Sequence, residues 1–326
     1  MNIVYILGNG FDKAQGMATS YPEFYRYLVD EIKEGSFLLN KMKSEITEKI
    51  TLWSDMEIGL GNFTDVTKKI TEFDDFYFEL NELLQKYLKT EDDKFMPSNN
   101  LKVKFQSDFV IIEKYLGNLD KERFKTFISD KNFSIKDISV ITFNYTNTLE
   151  KILSLEPNVT TKTFGNNITT LRNLIHVHGK LNNSIIVGVD NEDQIKNTNF
   201  RNDNDLKDYM IKKQSNLVMK ETRHIQCEKL ISNAHIIILM GVSLGDTDGF
   251  WWEIIGRNLT DRNNLAIIQH LYNPDEINPT QMQKRGRIER RQQNLIMRKM
   301  RIKEENWTEE LRNRLFFTVN EPIFKL

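Results

Sequence analysis

The run Ile3-Val4-Tyr5-Ile6-Leu7, halted by Gly8-Asn9-Gly10, restricts the possible folds of this chain more than any other stretch. An unbroken apolar, β-favouring run reads as a strand buried on both faces, the habit of parallel sheets, and the two glycines read as a tight turn. A helix is expected next, its unpaired N–H groups and positive dipole end aimed over the turn. The same form recurs downstream. Ile138 to Phe143 ends in Asn144-Tyr145-Thr146, Leu174 to Val177 ends in His178-Gly179, and Ser184 to Val189 ends in Asp190. His235 to Met240 leads into Gly241-Val242-Ser243-Leu244-Gly245-Asp246, and Asn264 to His270 and Leu315 to Val319 complete the expected strands. Helical stretches are expected over Asp205 to Asn233, Phe250 to Leu259 and Met282 to Ile302. Strands alternating with helices predict an α/β fold with a Rossmann-like, mostly parallel sheet covered on both faces. Ligands of such sheets sit beyond the carboxyl ends of the strands, where these polar clusters fall.

From Tyr21 to Asn132 the period changes: Phe76, Leu80, Leu83, Leu84, Tyr87 and Leu88 recur at helical spacing. This predicts a helical insertion over 21–132, a possible lid, within a nucleotide-binding core formed by 1–20 and 133–326. Pro97-Ser98-Asn99-Asn100 reads as a loop inside the insertion.

Charge narrows the partners. Lysine and arginine number 45 against 46 acidic residues, so no global attraction to nucleic acid or to a membrane follows. The local exception is a cationic helix bearing Lys284, Arg285, Arg287, Arg290, Arg291, Arg298, Lys299 and Arg301, but no aromatic residues are interleaved there for base stacking. Nucleic acid is therefore not the expected partner. A single cysteine, Cys227, builds neither an internal disulfide nor a cysteine-rich zinc cluster, and reads as a buried thiol in a reducing compartment. No run approaches the ~18 apolar residues of a membrane span, and no leader pattern opens the chain. A cytoplasmic location is expected.

Gly8, Asn9, Gly10, Phe11 and Asp12 suit a backbone that approaches a phosphate closely, although Lys13 stands where a dinucleotide fingerprint carries its third glycine. Asp12 reads equally as a ligand contact or a helix cap. Gly241, Ser243 and Asp246 form a second loop of the same physical type, with Asp246 and Asp248 alternatively simple helix N-terminal charges. Strand alternation places His176 and His178 on one side of their strand, and His178, next to Gly179 at the strand end, is the one expected at the cleft. No further ligand follows the histidines at metal spacing, so no metal is expected.

Together, Gly8-Asn9-Gly10-Phe11-Asp12 with Gly16, Thr19, Tyr21 and Phe24, Trp53-Ser54-Asp55-Met56-Glu57, Phe143-Asn144-Tyr145-Thr146, His176-Val177-His178-Gly179 and Gly241-Val242-Ser243-Leu244-Gly245 resemble the bacterial AbiH family of phage abortive-infection proteins. The resemblance runs to about Trp252. The motif order is also similar to the wider sirtuin-like group, which includes defence enzymes that hydrolyse NAD. That likeness implies an NAD glycohydrolase in which Asn144 orients ribose or water and His178 is the catalytic base. Gly8, Asn9, Gly10, Phe11 and Asp12 would then hold NAD with Gly241, Ser243 and Asp246 opposite. The resemblance further implies defence by growth arrest or cell death; such an activity needs restraint until a trigger, a phage-derived one being expected, and oligomerisation or lid movement could each supply it, with no residue pattern selecting between them. Trp53 and Glu57 read either as cleft residues or as local packing. The rival functions are a nucleotide sensor without chemistry and an effector acting on RNA or DNA.

Overall fold

The computed structural model describes residues 1–129, 136–156, 159–165, 169–273 and 283–325. The expected boundary at 132/133 and Met282 lie outside them. The protein is α/β, with a seven-stranded sheet among the described residues. The strands are β1 (Asn2–Leu7), β2 (Lys136–Thr142), β3 (Lys162–Phe164), β4 (Thr169–His176), β5 (Ile236–Met240), β6 (Ala266–Leu271) and β7 (Leu315–Val319). Their spatial order is β3-β4-β2-β1-β5-β6-β7, and every pairing is parallel except β3 with β4. The expected mostly parallel sheet is therefore found. Successive strands move outward from β1 on one side through β2 and β4, then the chain returns to lay β5 against the free edge of β1. A crevice necessarily opens where the winding reverses, at the carboxyl ends of β1 and β5.

Fourteen α-helices are named among the described residues: α1 (Asn9–Ala14), α2 (Tyr21–Asp30), α3 (Phe37–Lys49), α4 (Met56–Phe63), α5 (Ile70–Lys94), α6 (Asn99–Val110), α7 (Asn118–Ser129), α8 (Thr148–Leu153), α9 (Asn204–Met210), α10 (Lys212–Val218), α11 (Arg223–Ser232), α12 (Gly249–Asp261), α13 (Gln283–Lys299) and α14 (Glu309–Arg312). Alternation along the fully buried strands sends Ile3, Tyr5 and Leu7 to one face, where Phe105, Phe109 and Phe124 of α6 and α7 cover them. Val4 and Ile6 face the other layer, built from Ile231 of α11, Trp252 and Ile255 of α12 and Ile296 of α13. Cys227 is buried in that layer, and burial holds its thiol above its usual range.

The predicted insertion has two different fates. Helices α6 and α7 are part of the sheet's covering layer, whereas α2 to α5 form a cap whose core includes Leu181, Ile185, Val187, Val189 and Met210. Pro97 marks the division, with α6 starting at Asn99, capped by Ser98 Oγ. Full burial of rings such as Phe73 and Phe76 contributes about 2 kcal/mol each to holding the cap down.

The expected strand over Ser184 to Val189 is not in the sheet; this segment makes only isolated bridges, Gly179 with Ile185 and Val189 with Ile211. Its backbone is satisfied in part by main chain, the Ile186 N–H donating to the His178 carbonyl and the Val189 N–H to that of Met210, each at 2.8 Å, and in part by side chains: Tyr145 Oη donates to the Ile186 carbonyl at 2.9 Å, Tyr77 Oη donates to that of Val187 at 2.7 Å, and the Gly188 N–H donates to Glu57 at 3.3 Å. The helix expected over Asp205 to Asn233 is three helices, broken at Ile211 and again between Met219 and Thr222. The short antiparallel β3 was not expected.

Candidate functional site

Two glycine turns meet at the crevice. The Gly8 N–H donates to the Met240 carbonyl at 3.0 Å and the Gly10 N–H to that of Gly241 at 2.9 Å, so the ends of β1 and β5 are stitched backbone to backbone. A Cβ on Gly10 would lie 2.6 Å from Gly241 Cα, and one on Gly241, whose φ is +67°, would lie 2.3 Å from the Phe11 nitrogen. No side chain fits either position. The glycines are thus required by the contact between the turns, and the N–H groups of Gly8 and Gly10 are already spent on protein carbonyls.

Over this junction lies a cavity of about 360 Å³. Gly8, Asn9, Gly10, Asp12, Asn144, His178, Gly241 and Ser243 all line it. The structure does not bring Phe11 or Asp246 to it. Phe11 is buried below, edge-on to Phe105 and Phe324, and Asp246 turns outward to pair with Lys299. Asn9 is occupied sideways, exchanging hydrogen bonds with Thr19.

Asp12 points inward from α1, and its carboxylate gathers the β2 end. Asn144 Nδ2 donates to Oδ1 at 3.0 Å and Thr146 Oγ1 donates to Oδ2 at 2.5 Å. Burial raises this carboxyl to about 6, although the hydrogen bonds from Thr146, Thr148 and Asn144 oppose the rise. The aspartate is an internal brace rather than a helix cap, and it fixes the plane of the Asn144 amide.

His176 and His178 separate because β4 ends at His176 and the chain then turns through Gly179, at φ +80°. His176 puts Nδ1 on the Asn144 carbonyl and Nε2 on Glu150, each at 2.8 Å, and faces another cavity of about 810 Å³. His178 lines the cavity over the glycines, and its Nε2 lies 2.9 Å from Asp248 Oδ1. With Nε2–H donated to the carboxylate, Nδ1 carries the lone pair, and this atom is buried without a partner. Burial and the Lys212 charge lower the affinity of His178 for a proton, and Asp248 opposes them.

Lys212, Asp248 and Glu57 also line the cavity. Lys212 Nζ bridges Asp248 Oδ1 at 2.9 Å and Glu57 Oε2 at 2.7 Å, linking the core to cap helix α4. Burial and Asp248 act in opposite senses on Lys212, and the two carboxylates prevail, holding it above its usual range. Burial would raise Asp248, but Lys212 and His178 hold it well below the ordinary carboxylate range. Glu57 is raised to about 7 by burial, against the pull of Lys212.

The chain matches the family described as bacteriophage abortive infection AbiH over residues 4–270. It belongs to the AbiH family. The matched span of this AbiH chain contains every residue that lines the cavity, Gly8 through Trp252, and excludes α13 and β7. No curated protein matches the chain. AbiH membership makes this a phage abortive-infection defence protein, and among the described residues no helix is long and apolar enough to cross a membrane.

Sequence reasoning passed over Lys212, named Asp248 only through its alternative as a helix N-terminal charge, and left Glu57 between two readings. Lys212 stands beside Lys213 in a polar stretch, and nothing local distinguishes the buried lysine from the exposed one. The motif Trp53-Ser54-Asp55-Met56-Glu57 was the signal for Glu57, though it read equally as local packing: Asp55 caps α4 and Trp53 packs against Gly59, which aims Glu57 at the core.

Proposed function

We propose that the crevice binds NAD and hydrolyses its bond to nicotinamide, and that loss of NAD is the means of defence. The observation that carries this reading is the convergence of both glycine turns, Asn144 and His178 on one cavity where the sheet winding reverses. With the short β3 set aside, the parallel strands stand in the order third, second, first, fourth, fifth, sixth, which is the dinucleotide-binding arrangement and supports a Rossmann-like core. A second cavity of about 750 Å³ continues over the ends of β5, β6 and β7 and shares Gly10, Lys13, Gly241, Val242 and Ser243 with the first. Two compartments meeting over a glycine junction suit a ligand with two nucleoside halves. Lys13 and Ser243, both exposed at the junction, supply a cation and a hydroxyl for the pyrophosphate between them.

Cleavage releases nicotinamide as a neutral ring and leaves an oxocarbenium-like ribose, which water attacks at the anomeric carbon. The proton lost from water passes to His178, giving nicotinamide and ADP-ribose. Asn144, braced by Nδ2 on Asp12, keeps Oδ1 to accept from that water, so its contribution is orientation. Nδ1 of His178 is buried, and the reaction requires substrate to open access to it. Incubation of the purified protein with NAD, followed by chromatography, is expected to yield nicotinamide and ADP-ribose. His178→Ala or Asn144→Ala should keep the fold and lose about 100-fold or more in rate. Undiminished turnover in either variant rejects the assignment.

The covered histidine also favours a second reading, a nucleotide sensor without chemistry. Saturable heat of NAD binding with no nicotinamide released would select it.

A further inference from the structure

Lys212 Nζ and the His178 ring donate to the same oxygen, Asp248 Oδ1, each at 2.9 Å, and Lys212 is itself held by Glu57 at 2.7 Å. Glu57 and Lys212 are both buried. An ammonium resting wholly on Asp248 would cancel the charge that His178 faces. Sharing it with a second carboxylate leaves the group of three with a net negative charge. Glu57 belongs to α4 in the cap, whereas Lys212, Asp248 and His178 belong to the core.

We propose that Glu57, contributed by the cap, is a positioning residue for His178: by holding Lys212 it preserves Asp248 as the anionic partner of the imidazole. The proposal rests on His178 being the acting group of the reading above. Opposite charges close together favour the charged form of each, so an ionised Glu57 strengthens proton binding at His178 through Lys212 and Asp248, and a neutral one weakens it. The other charged neighbours do not supply this effect. Arg223 opposes protonation of His178, as Lys212 does, and His224 is a neighbouring titratable ring on α11. Around Glu57 stand Lys212, Asp248 and Asp55, together with the phenols of Tyr21, Tyr77 and Tyr145 and the Gly188 N–H. Because burial places the Glu57 carboxyl near neutrality, its charge is adjustable in the physiological range.

The experiment follows the imidazole titration of His178 by NMR in the full chain carrying isotope-labelled histidine, with the signal assigned from the His178→Ala spectrum. Glu57→Gln is expected to lower the His178 midpoint by about half a pH unit or more, and the acid limb of nicotinamide release should move with it. Glu57→Asp retains the charge on a shorter arm and is expected to recover part of the shift. An unmoved midpoint in folded Glu57→Gln overturns the proposal. Should that variant fail to fold, Lys212→Gln removes the opposing cation and is expected to raise the midpoint; no rise overturns the proposal equally. Wild-type protein that releases no nicotinamide would reject the NAD reading, while the titration would still decide the role of Glu57.

Discussion

Asp12 shows how far a single residue can be read from its type. An aspartate shortly after Gly-Asn-Gly suggests a ligand contact or a cap; it does not cap α1, and although it lines the cavity its carboxylate is enclosed by Asn144 and Thr146, more than 130 positions later. That enclosure has a measurable sign. A folded-state carboxyl raised from 3.8 to about 6 favours the fold below the unfolded value, and the benefit disappears as pH rises through about 6, a difference of about 3 kcal/mol. The stability difference between wild type and Asp12→Asn, measured by urea denaturation, is therefore expected to change in favour of the variant between pH 4 and pH 7. A difference independent of pH would show that the buried acid is not raised. Subtraction is needed because Glu57, also raised, titrates in an overlapping window. The candidate site residues visible in the sequence, Asn144, His178 and the glycines, were visible because each closely follows a strand. Lys212 lies in a helix start with a polar neighbour, and only tertiary contacts reveal that it is buried.

Among elements, the ends of strands bounded by glycine or polar clusters were legible to within about two residues, because continuous apolar runs of that length have few other uses, but β4 begins at Thr169, five residues before the expected Leu174. Ser184 to Val189 has the same pattern and a different fate. Its run is buried, but loop main chain, tyrosine hydroxyls and Glu57 share its backbone hydrogen bonds, and no periodicity distinguishes those partners from a neighbouring strand. The turns permit a sharper test. Gly241→Ala combines a left-handed φ with a Cβ 2.3 Å from a backbone nitrogen, and is expected to cost about 2 to 4 kcal/mol in chemical denaturation. A variant as stable as wild type would mean that the turns are not in contact. Gly16 provides the control, since space around it is open and only its φ of +80° resists alanine, so a smaller loss is expected there.

At the scale of the molecule, the order of strands was beyond the sequence. Periodicity identifies a parallel sheet but does not say that β5 returns beside β1, and it is that return which gathers residues from Gly8 to Trp252. The helical region illustrates the converse, since one compositionally uniform stretch was divided by packing into a sheet layer and a cap. The cap shares its core with Leu181 to Met210, so excision of residues 21–96 is expected to give an insoluble chain, and the intact protein should not release a capped fragment under limited proteolysis. A soluble deletion variant with native near-ultraviolet dichroism would instead establish an autonomous lid. The meeting of the two turns carries one more consequence. Main chain with no room for side groups floors the cavity, and such a floor has nothing to vary. Relatives that came to prefer different ligands would have had to do so through the walls and roof, where Tyr21, Asp55 and Glu57 descend from the cap, while positions 10 and 241 stayed small together.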